Sequence, residues 1–232
     1  EEYFNREFEE DKEQETLVYL KRQQDNWAVT ALAQWRILDF RTQTEHLPDL
    51  AFHWIGQPLG EIANYYNESR VGLVRRRVDQ RRIFESHPWD NSDVSSGVTF
   101  RTNTRNEVDL PLRLGNAQIV PYAMASTGYW DGSPTVGSTG RLLGSAGVRT
   151  GTQFWRTFEG VSSRLFDLTG LRHIIKPEWT AWLSAATRDS INFYRFDRGV
   201  EDIDDFYGNS LALRQRLQTK RGGPGNWRVV DW

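Results

Sequence analysis

Residues 98–114 alternate between two kinds of side chain, and this pattern constrains the fold more than any other feature of the sequence. The even positions, from Val98 to Leu114, are apolar or small and polar, whereas the odd positions include Arg101, Glu107 and Asp109. A period of two residues predicts a β-strand with one apolar face and one charged face. At about 3.4 Å per residue this strand would be roughly 57 Å long, far beyond the about five or six residues usual in soluble sheets.

The same period recurs along the chain, between segments rich in turn residues. Further strands are predicted for residues 16–23, 27–37, 49–57, 61–78, 119–130, 147–158, 173–184, 211–219 and from 227 onward. The glycine-rich segments 128–151 and 221–225 are interpreted as loops and turns. Residues 1–15 form an acidic N-terminal segment without an assigned function, so that residues 16–232 are predicted to be all-β, with about ten antiparallel strands.

The connections between the predicted strands fall into two classes. Residues 25–26 and 115–116 are tight turns, whereas residues 83–95, 131–141 and 187–209 are long loops. Short turns on one rim and long loops on the other are typical of transmembrane β-barrels. The sequence has no stretch that approaches about 18 consecutive apolar residues, which argues against a transmembrane helix.

Tryptophan is abundant, with 10 residues in a chain of 232 that is only 38% hydrophobic. Trp27 and Trp35 bracket the apolar face of one predicted strand, about 27 Å apart along it, close to the height of a lipid-facing band. Together with Trp130 and Trp179 they are predicted to form an interfacial aromatic girdle. The fold class predicted on this basis is an antiparallel transmembrane β-barrel, or a large fragment of one, incomplete at both ends.

Charge and composition exclude several classes of function. A net charge of -2 argues against a nucleic-acid partner bound by bulk positive charge. The lack of cysteine excludes disulfide scaffolds, zinc ribbons and thiol nucleophiles. No phosphate-binding loop, nucleophile elbow or metal-ligating histidine pair is present in the sequence. We therefore predict a protein that is not an enzyme and has neither a cofactor nor a metal.

Charged and proline residues supply the remaining candidates. Six basic residues either contact the phosphates of an anionic glycolipid from a lumen or rim, or form a solvated rim. They are Arg75, Arg76, Arg77, Arg214, Arg216 and Lys220. Five acidic residues either ligate a cation or form a solvated extracellular loop, and we favour the loop. They are Asp197, Glu201, Asp202, Asp204 and Asp205. The prolines Pro111, Pro121 and Pro177 are predicted to weaken strand pairing, because proline lacks a ladder donor.

Four segments, taken in order, resemble the barrel domain of the lipopolysaccharide-assembly protein D family, formerly called organic solvent tolerance protein. They are residues 46–50 (HLPDL), 105–111 (RNEVDLP), 170–177 (GLRHIIKP) and 215–223 (QRLQTKRGG). The resemblance extends from about Phe8 to Trp232. The chain departs from the family in showing neither its N-terminal jellyroll domain nor that domain's cysteines.

The resemblance implies an outer-membrane protein of a diderm bacterium that takes part in lipopolysaccharide assembly and export. It also implies outer-membrane lipid, a lipoprotein plug and a periplasmic bridge protein as partners. Two alternatives remain open from the residues. One is a passive porin-like channel in the outer membrane, and the other is a soluble β-sandwich that binds carbohydrate through its tryptophans and acids.

Overall fold

The computed structural model describes residues 15–38, 42–78, 97–222 and 228–231. These residues form one antiparallel sheet of 12 strands, which confirms the predicted all-β class. The sheet is not closed, since β1 and β12 are its two edges. The strands are β1 (Thr16–Gln24), β2 (Trp27–Trp35), β3 (Gln43–Leu59), β4 (Ala63–Arg77), β5 (Thr99–Asp109), β6 (Leu112–Leu114), β7 (Ala117–Trp130), β8 (Thr139–Thr152), β9 (Phe154–Ser163), β10 (Leu168–Ala186), β11 (Phe206–Arg221) and β12 (Arg228–Asp231).

Neighbouring strands of the sheet follow one another in the chain. The exceptions are two long strands that are each divided into two shorter segments. β5 and β6 both pair with β7, and β8 and β9 both pair with β10. If β5 and β6 are counted as one strand, and β8 and β9 as another, the whole sheet has an up-and-down strand order. Most of the acidic segment 1–15 and all of the predicted loop 83–95 lie outside the described residues.

Both interruptions occur where a proline lies in the ladder. Pro111 falls between β5 and β6, and its cross-strand neighbour Pro121 accepts a hydrogen bond from the Leu110 amide at 3.0 Å. In β10, Lys176 and Pro177 pair with β11 but not with β8 or β9, which break at Gln153. The three prolines named from the sequence therefore lie beside the two interruptions, between β5 and β6 and between β8 and β9.

The connections alternate in length along the sheet. Residues 25–26, 60–62, 115–116 and 164–167 are short turns at one end, which we call the short-turn end. Residues 131–138 and 187–205 are long connections at the opposite, long-loop end, where β2 ends and β3 begins. Gly115 adopts a positive φ of 59°, which lets the tight turn after β6 form without the steric cost that a side chain would add.

The two faces of the sheet have opposite polarity. Residues paired in register lie on the same face, so that Asp49, Arg101 and Arg141 share one face and Leu50, Val71 and Leu142 share the other. We call these the polar face and the apolar face. The polar face is the more buried one along β5, whereas Leu50, Val71 and Leu142 are exposed.

Among the described residues, polar side chains are buried more often than hydrophobic ones. Fourteen polar or charged residues are buried, against seven hydrophobic ones. Large hydrophobic side chains are instead widely exposed, including Leu211 at 80% and Leu213 at 61%. Soluble domains bury their aliphatic residues and expose their charges, so this sheet has the opposite arrangement. The described residues contain no helix long and apolar enough to cross a membrane.

The structure corrects the interpretation of the glycine-rich segment 128–151 as a loop, because most of it is strand β8. One of its glycines, Gly147, lies where an aromatic ring needs space on the polar face. A Cβ added at Gly147 would lie 2.8 Å from the Tyr122 ring and 2.5 Å from the Ala181 carbonyl oxygen. The Arg149 guanidinium packs over the Tyr122 ring, 4.0 Å from the ring centroid. Glycine in β8 therefore serves packing rather than chain reversal.

We expect Gly147→Ala to lower the free energy of unfolding by about 1–3 kcal/mol, because the new methyl group overlaps the Tyr122 ring and a backbone oxygen. The matched control is Gly144→Ala, three residues earlier in the same strand, where a Cβ meets nothing within 4 Å. Urea titration of the protein in detergent micelles, followed by tryptophan fluorescence, measures both. Equal stability of the two variants would contradict the packing described for β8.

Candidate functional site

Residues 187–205, which we call the inward loop, fold back over the polar face at the long-loop end. The loop contains a short 3-10 helix, Ser190–Asn192. Strand side chains hold its backbone: Thr44 Oγ1 donates to the Phe196 carbonyl at 3.0 Å, and Ser184 Oγ donates to the Asp204 carbonyl at 3.1 Å. Arg76 donates to the Arg195 carbonyl. The inward loop thus braces β3, β4 and β10 against one another.

Arg141 of β8 provides the densest set of contacts to the loop backbone. Its guanidinium donates to the carbonyls of Glu201 at 3.2 Å and Ile203 at 3.1 Å, and also to that of Val200. The same group lies 4.8 Å from the Phe193 ring centroid. Because a guanidinium carries several donors in a fixed plane, one side chain can hold three carbonyl groups of the loop backbone.

A small apolar cluster lies beneath the loop. Val74 and Trp130 from the sheet pack against Phe193 and Phe196 from the loop, and all four are buried. The Trp130 and Phe193 ring centroids are 4.6 Å apart. This cluster is the hydrophobic core of the described residues, and the loop supplies two of its four buried side chains.

The carboxylate of Glu201 is the most enclosed charge in the structure. Its side chain is fully buried, and it accepts hydrogen bonds from Arg101 Nη1 at 3.0 Å, Trp130 Nε1 at 3.0 Å and the Asp197 amide at 2.6 Å. Arg101 is only 1% exposed and also donates to Asp49 at 3.3 Å. Asp49 in turn contacts His46 at 2.9 Å. We call Arg101, Glu201 and Asp49 the buried charge network.

Burial raises the pKa of Glu201 above its ordinary value of 4.5, and the opposing effects of Arg101, the Asp197 amide and Trp130 do not cancel it. The enclosed carboxylate therefore holds a proton more readily than it would in water. Removal of Arg101 would leave it without its main charge partner, which is costly for a buried ion.

The structure corrects part of the prediction for the acidic cluster, which was expected to be a solvated loop. Glu201 is buried, and Asp204 accepts hydrogen bonds from the amide and hydroxyl of Ser190. Asp202 pairs with Arg195 at 3.2 Å. Nowhere in the described ranges do three or more acidic or histidine side chains converge as a metal site would require. The acids of the loop stabilise its fold.

Away from the loop, ion pairs follow the polar face toward the short-turn end. Glu107 pairs with Arg105 at 2.6 Å and with Arg149 at 2.7 Å. Glu178 pairs with Lys176 at 2.7 Å and with Arg214 at 2.8 Å. Each carboxylate is thus shared by two cations.

The basic residues predicted from the sequence do not form one site. Arg75 pairs with Glu45 at 2.6 Å on the apolar side of β4, and Arg77 lies 3.6 Å from the same carboxylate. Arg76 faces the inward loop. Arg214, Arg216 and Lys220 instead lie along β11, toward the short-turn end. The six residues therefore divide between opposite ends of the sheet.

The predicted tryptophan girdle also divides. Trp27, Trp35 and Trp179 lie on the apolar face, and Trp27 is paired in register with Trp54. Trp130 does not belong with them, because its position opposite Arg101 turns it to the polar face, where it is 1% exposed. Its assignment to the girdle was wrong for this reason: strand parity, rather than composition, decides which face a residue takes.

Comparison with known proteins adds no relative. No protein-family model matches the chain, and no curated protein matches it significantly. What the fold defines is a class: an all-β protein built on one antiparallel sheet with a charged, loop-covered face and an apolar, exposed face.

Sequence reasoning missed the buried charge network, although both of its acids and its arginine were visible. Arg101 appears in the sequence as one of several odd-position charges, without a signal that distinguishes it from Arg105. The partner Glu201 lies 100 residues away. The one hint that this end of β5 is enclosed is Trp130, which is paired in register with Arg101 on the neighbouring strand β7.

We expect Glu201→Ala to release the inward loop, because it leaves Arg101 with one of its two carboxylate partners removed inside a buried site. Loss of one partner of a buried pair costs about 3–5 kcal/mol. Limited trypsin digestion reports the release through cleavage after Arg195 and Arg198, both of which lie in the loop.

The matched control is Asp202→Ala in the same loop, which removes a half-exposed pair with Arg195 worth about 0–1 kcal/mol. Cleavage is expected to remain close to that of the unmodified protein in this variant. Equal cleavage of the two variants would show that the buried charge network does not hold the loop.

Proposed function

We propose that the chain forms part of the wall of an outer-membrane β-barrel that takes part in moving lipopolysaccharide to the outer leaflet. The observation that carries the proposal is the inverted polarity of the sheet: its charged face is covered and its apolar face is exposed. In a bilayer this arrangement places the apolar face against lipid and the polar face toward a lumen.

The energetics favour lipid as the medium around the apolar face. Leu50, Val71 and Leu183 are exposed on that face. Trp27, Trp35 and Trp179 lie on the same face. Exposed apolar area costs about 25 cal/mol per Å² in water. A large contiguous patch of this kind indicates an interaction with a membrane or another protein.

The alternation of turn lengths supports the same proposal. Short turns gather at one end of the sheet and long connections at the other, as in bacterial barrels, where the short turns face the periplasm. The open edges of β1 and β12 then need further strands or each other to complete a wall, because an unpaired edge is not tolerated in lipid.

The glycolipid substrate comes from the resemblance of four segments to the lipopolysaccharide-assembly protein D family. The polar face is compatible with it, since Glu107 and Glu178 are each shared by two cations there. Arginines bind phosphate and carboxylate groups through paired hydrogen bonds. Lapses in pairing at Pro111 and Pro177 provide places where a wall can part, as lateral release of a lipid requires.

A passive channel is the second candidate, and the inward loop favours it. A loop folded onto the polar face narrows the space beside that face, as a constriction in a channel does. The soluble carbohydrate-binding sandwich is less favoured, because the described strands form one sheet and Leu211 and Leu213 are exposed rather than in a core between two sheets.

We expect Leu50→Arg to impair folding into liposomes, because it places a charge near the middle of the apolar face. The cost of arginine at a bilayer midplane is about 2–4 kcal/mol. The measurement is the fraction of protein that resists SDS at room temperature and shifts in mobility on heating.

Leu165→Arg serves as the control, since Leu165 lies in the short turn 164–167 and is exposed there. It is expected to fold into liposomes like the unmodified chain. A protein that is monomeric without detergent, and that tolerates both substitutions equally, would contradict the membrane assignment.

We expect a photo-cross-linker at Met124 on the polar face to capture lipopolysaccharide but not phospholipid in outer membranes. The neighbouring residue Ala125 lies on the apolar face, and a cross-linker there is expected to capture phospholipid. Mass spectrometry of the adducts distinguishes the two. Ion conductance without lipopolysaccharide adducts at Met124 would select the passive channel instead.

A further inference from the structure

Four strands extend past the other turns at the short-turn end of the sheet. The β7–β8 pairing ends at Ala117 and Thr152, next to the Gly115–Asn116 turn. β9, the first part of β10, the last part of β11 and β12 continue beyond that level and pair only with one another in the described ranges. We call these four paired segments the extension.

The extension contains a cavity of about 580 Å³ on its polar face. Three of its side chains come from β9 and three from the paired strands β10 and β11. The six are Trp155, Thr157, Glu159, Arg172, Gln218 and Lys220. Cavities of about 300–1,000 Å³ are typical of small-molecule sites, so this one has room for one or two sugar rings.

The register explains why these side chains meet. Arg172 is paired with Thr157 on one side and with Gln218 on the other, so the three lie in a row across the sheet. The Arg172 guanidinium carbon lies 5.8 Å from the centroid of the Trp155 ring. The ring holds the cation at the edge of the cavity through a cation–π contact.

The two cations of the cavity differ from three arginines elsewhere on the polar face. Arg101, Arg105 and Arg149 each form an ion pair with a carboxylate. Within the part of the chain that the structure describes, neither Arg172 nor Lys220 forms an ion pair, although Glu159 lines the same cavity. Their charge is therefore open to a ligand.

We propose that this cavity binds an anionic saccharide. The inference rests on the proposed function, in which such a saccharide is the head group of the transported glycolipid. Trp155 offers a flat apolar surface for the C–H face of a sugar ring. Arg172 and Lys220 bind its phosphate or carboxylate, while Thr157, Glu159 and Gln218 offer hydrogen bonds to its hydroxyl groups.

The position of the cavity agrees with this role. It lies at the short-turn end, which is the side from which a glycolipid enters under the proposed function, and away from the inward loop at the opposite end. Its aromatic ring is 59% exposed, so a ligand can reach the ring without displacing another side chain. The saccharide would thus be captured before it reaches the buried charge network.

The test is titration of the full 232-residue chain, in detergent micelles, with glucose 6-phosphate, glucuronate, glucose and inorganic phosphate. Isothermal calorimetry measures the affinities, and quenching of Trp155 fluorescence reports the site. We expect glucose 6-phosphate or glucuronate to bind about tenfold or more tightly than glucose or phosphate, because ring and anion each contribute. Which of the two anionic sugars binds better identifies the anionic group.

Arg172→Ala and Lys220→Ala are each expected to weaken binding of the preferred sugar about tenfold. The matched control is Arg156→Ala, which removes an arginine from the opposite face of the neighbouring strand β9, where it packs on Phe158. Equal affinity for glucose or for phosphate alone, or an equal loss in the Arg156 variant, would overturn the proposal.

The result is separable from that for the membrane assignment. Sugar binding that depends on Arg172, in a protein that needs no detergent, would support the cavity and contradict the barrel. A chain that folds into liposomes but binds none of the four probes would support the barrel and overturn the saccharide site.

Discussion

The ion pair between Arg101 and Glu201 is the interaction on which the rest of the structure depends. It joins the loop after β10 to strand β5, and both side chains are almost completely buried. A pair enclosed in this way stabilises a structure only when its remaining hydrogen bonds are satisfied. Trp130 and the Asp197 amide satisfy Glu201, and Asp49 satisfies Arg101, so the cost of removing these charges from water is offset by several well-formed contacts.

This interaction also explains how a sheet with a charged interior remains ordered. A soluble protein would gain its stability from an aliphatic core, whereas the described residues have only a small apolar cluster around Trp130 and Phe193. The inward loop replaces that core with hydrogen bonds to strands distributed across the sheet. The apolar side chains are then left for the opposite face, which is the arrangement expected of a protein whose surroundings are apolar.

Much of the fold follows from the sequence, because strand parity is a local property. Alternation places Trp27 and Trp35 together, and Gly115-Asn116 marks a turn, as the structure confirms. The glycines of β8 were misjudged, since their role appears only when the Tyr122 ring is seen to cover Gly147. The fold of the inward loop could not be predicted from local sequence patterns, because the contacts that enclose Glu201 join residues about a hundred positions apart. Acidic loops with and without such contacts look alike in a sequence.

The most direct test of the account is the depth of two tryptophans in a bilayer. Trp179 lies on the apolar face and Trp130 on the polar face, beneath the inward loop. Two variants, each retaining one of them, would be folded into liposomes that contain brominated lipid, and their fluorescence quenching compared. We expect strong quenching of Trp179 and little quenching of Trp130. Equal quenching of both, or quenching of neither, would contradict the assignment of the apolar face to lipid.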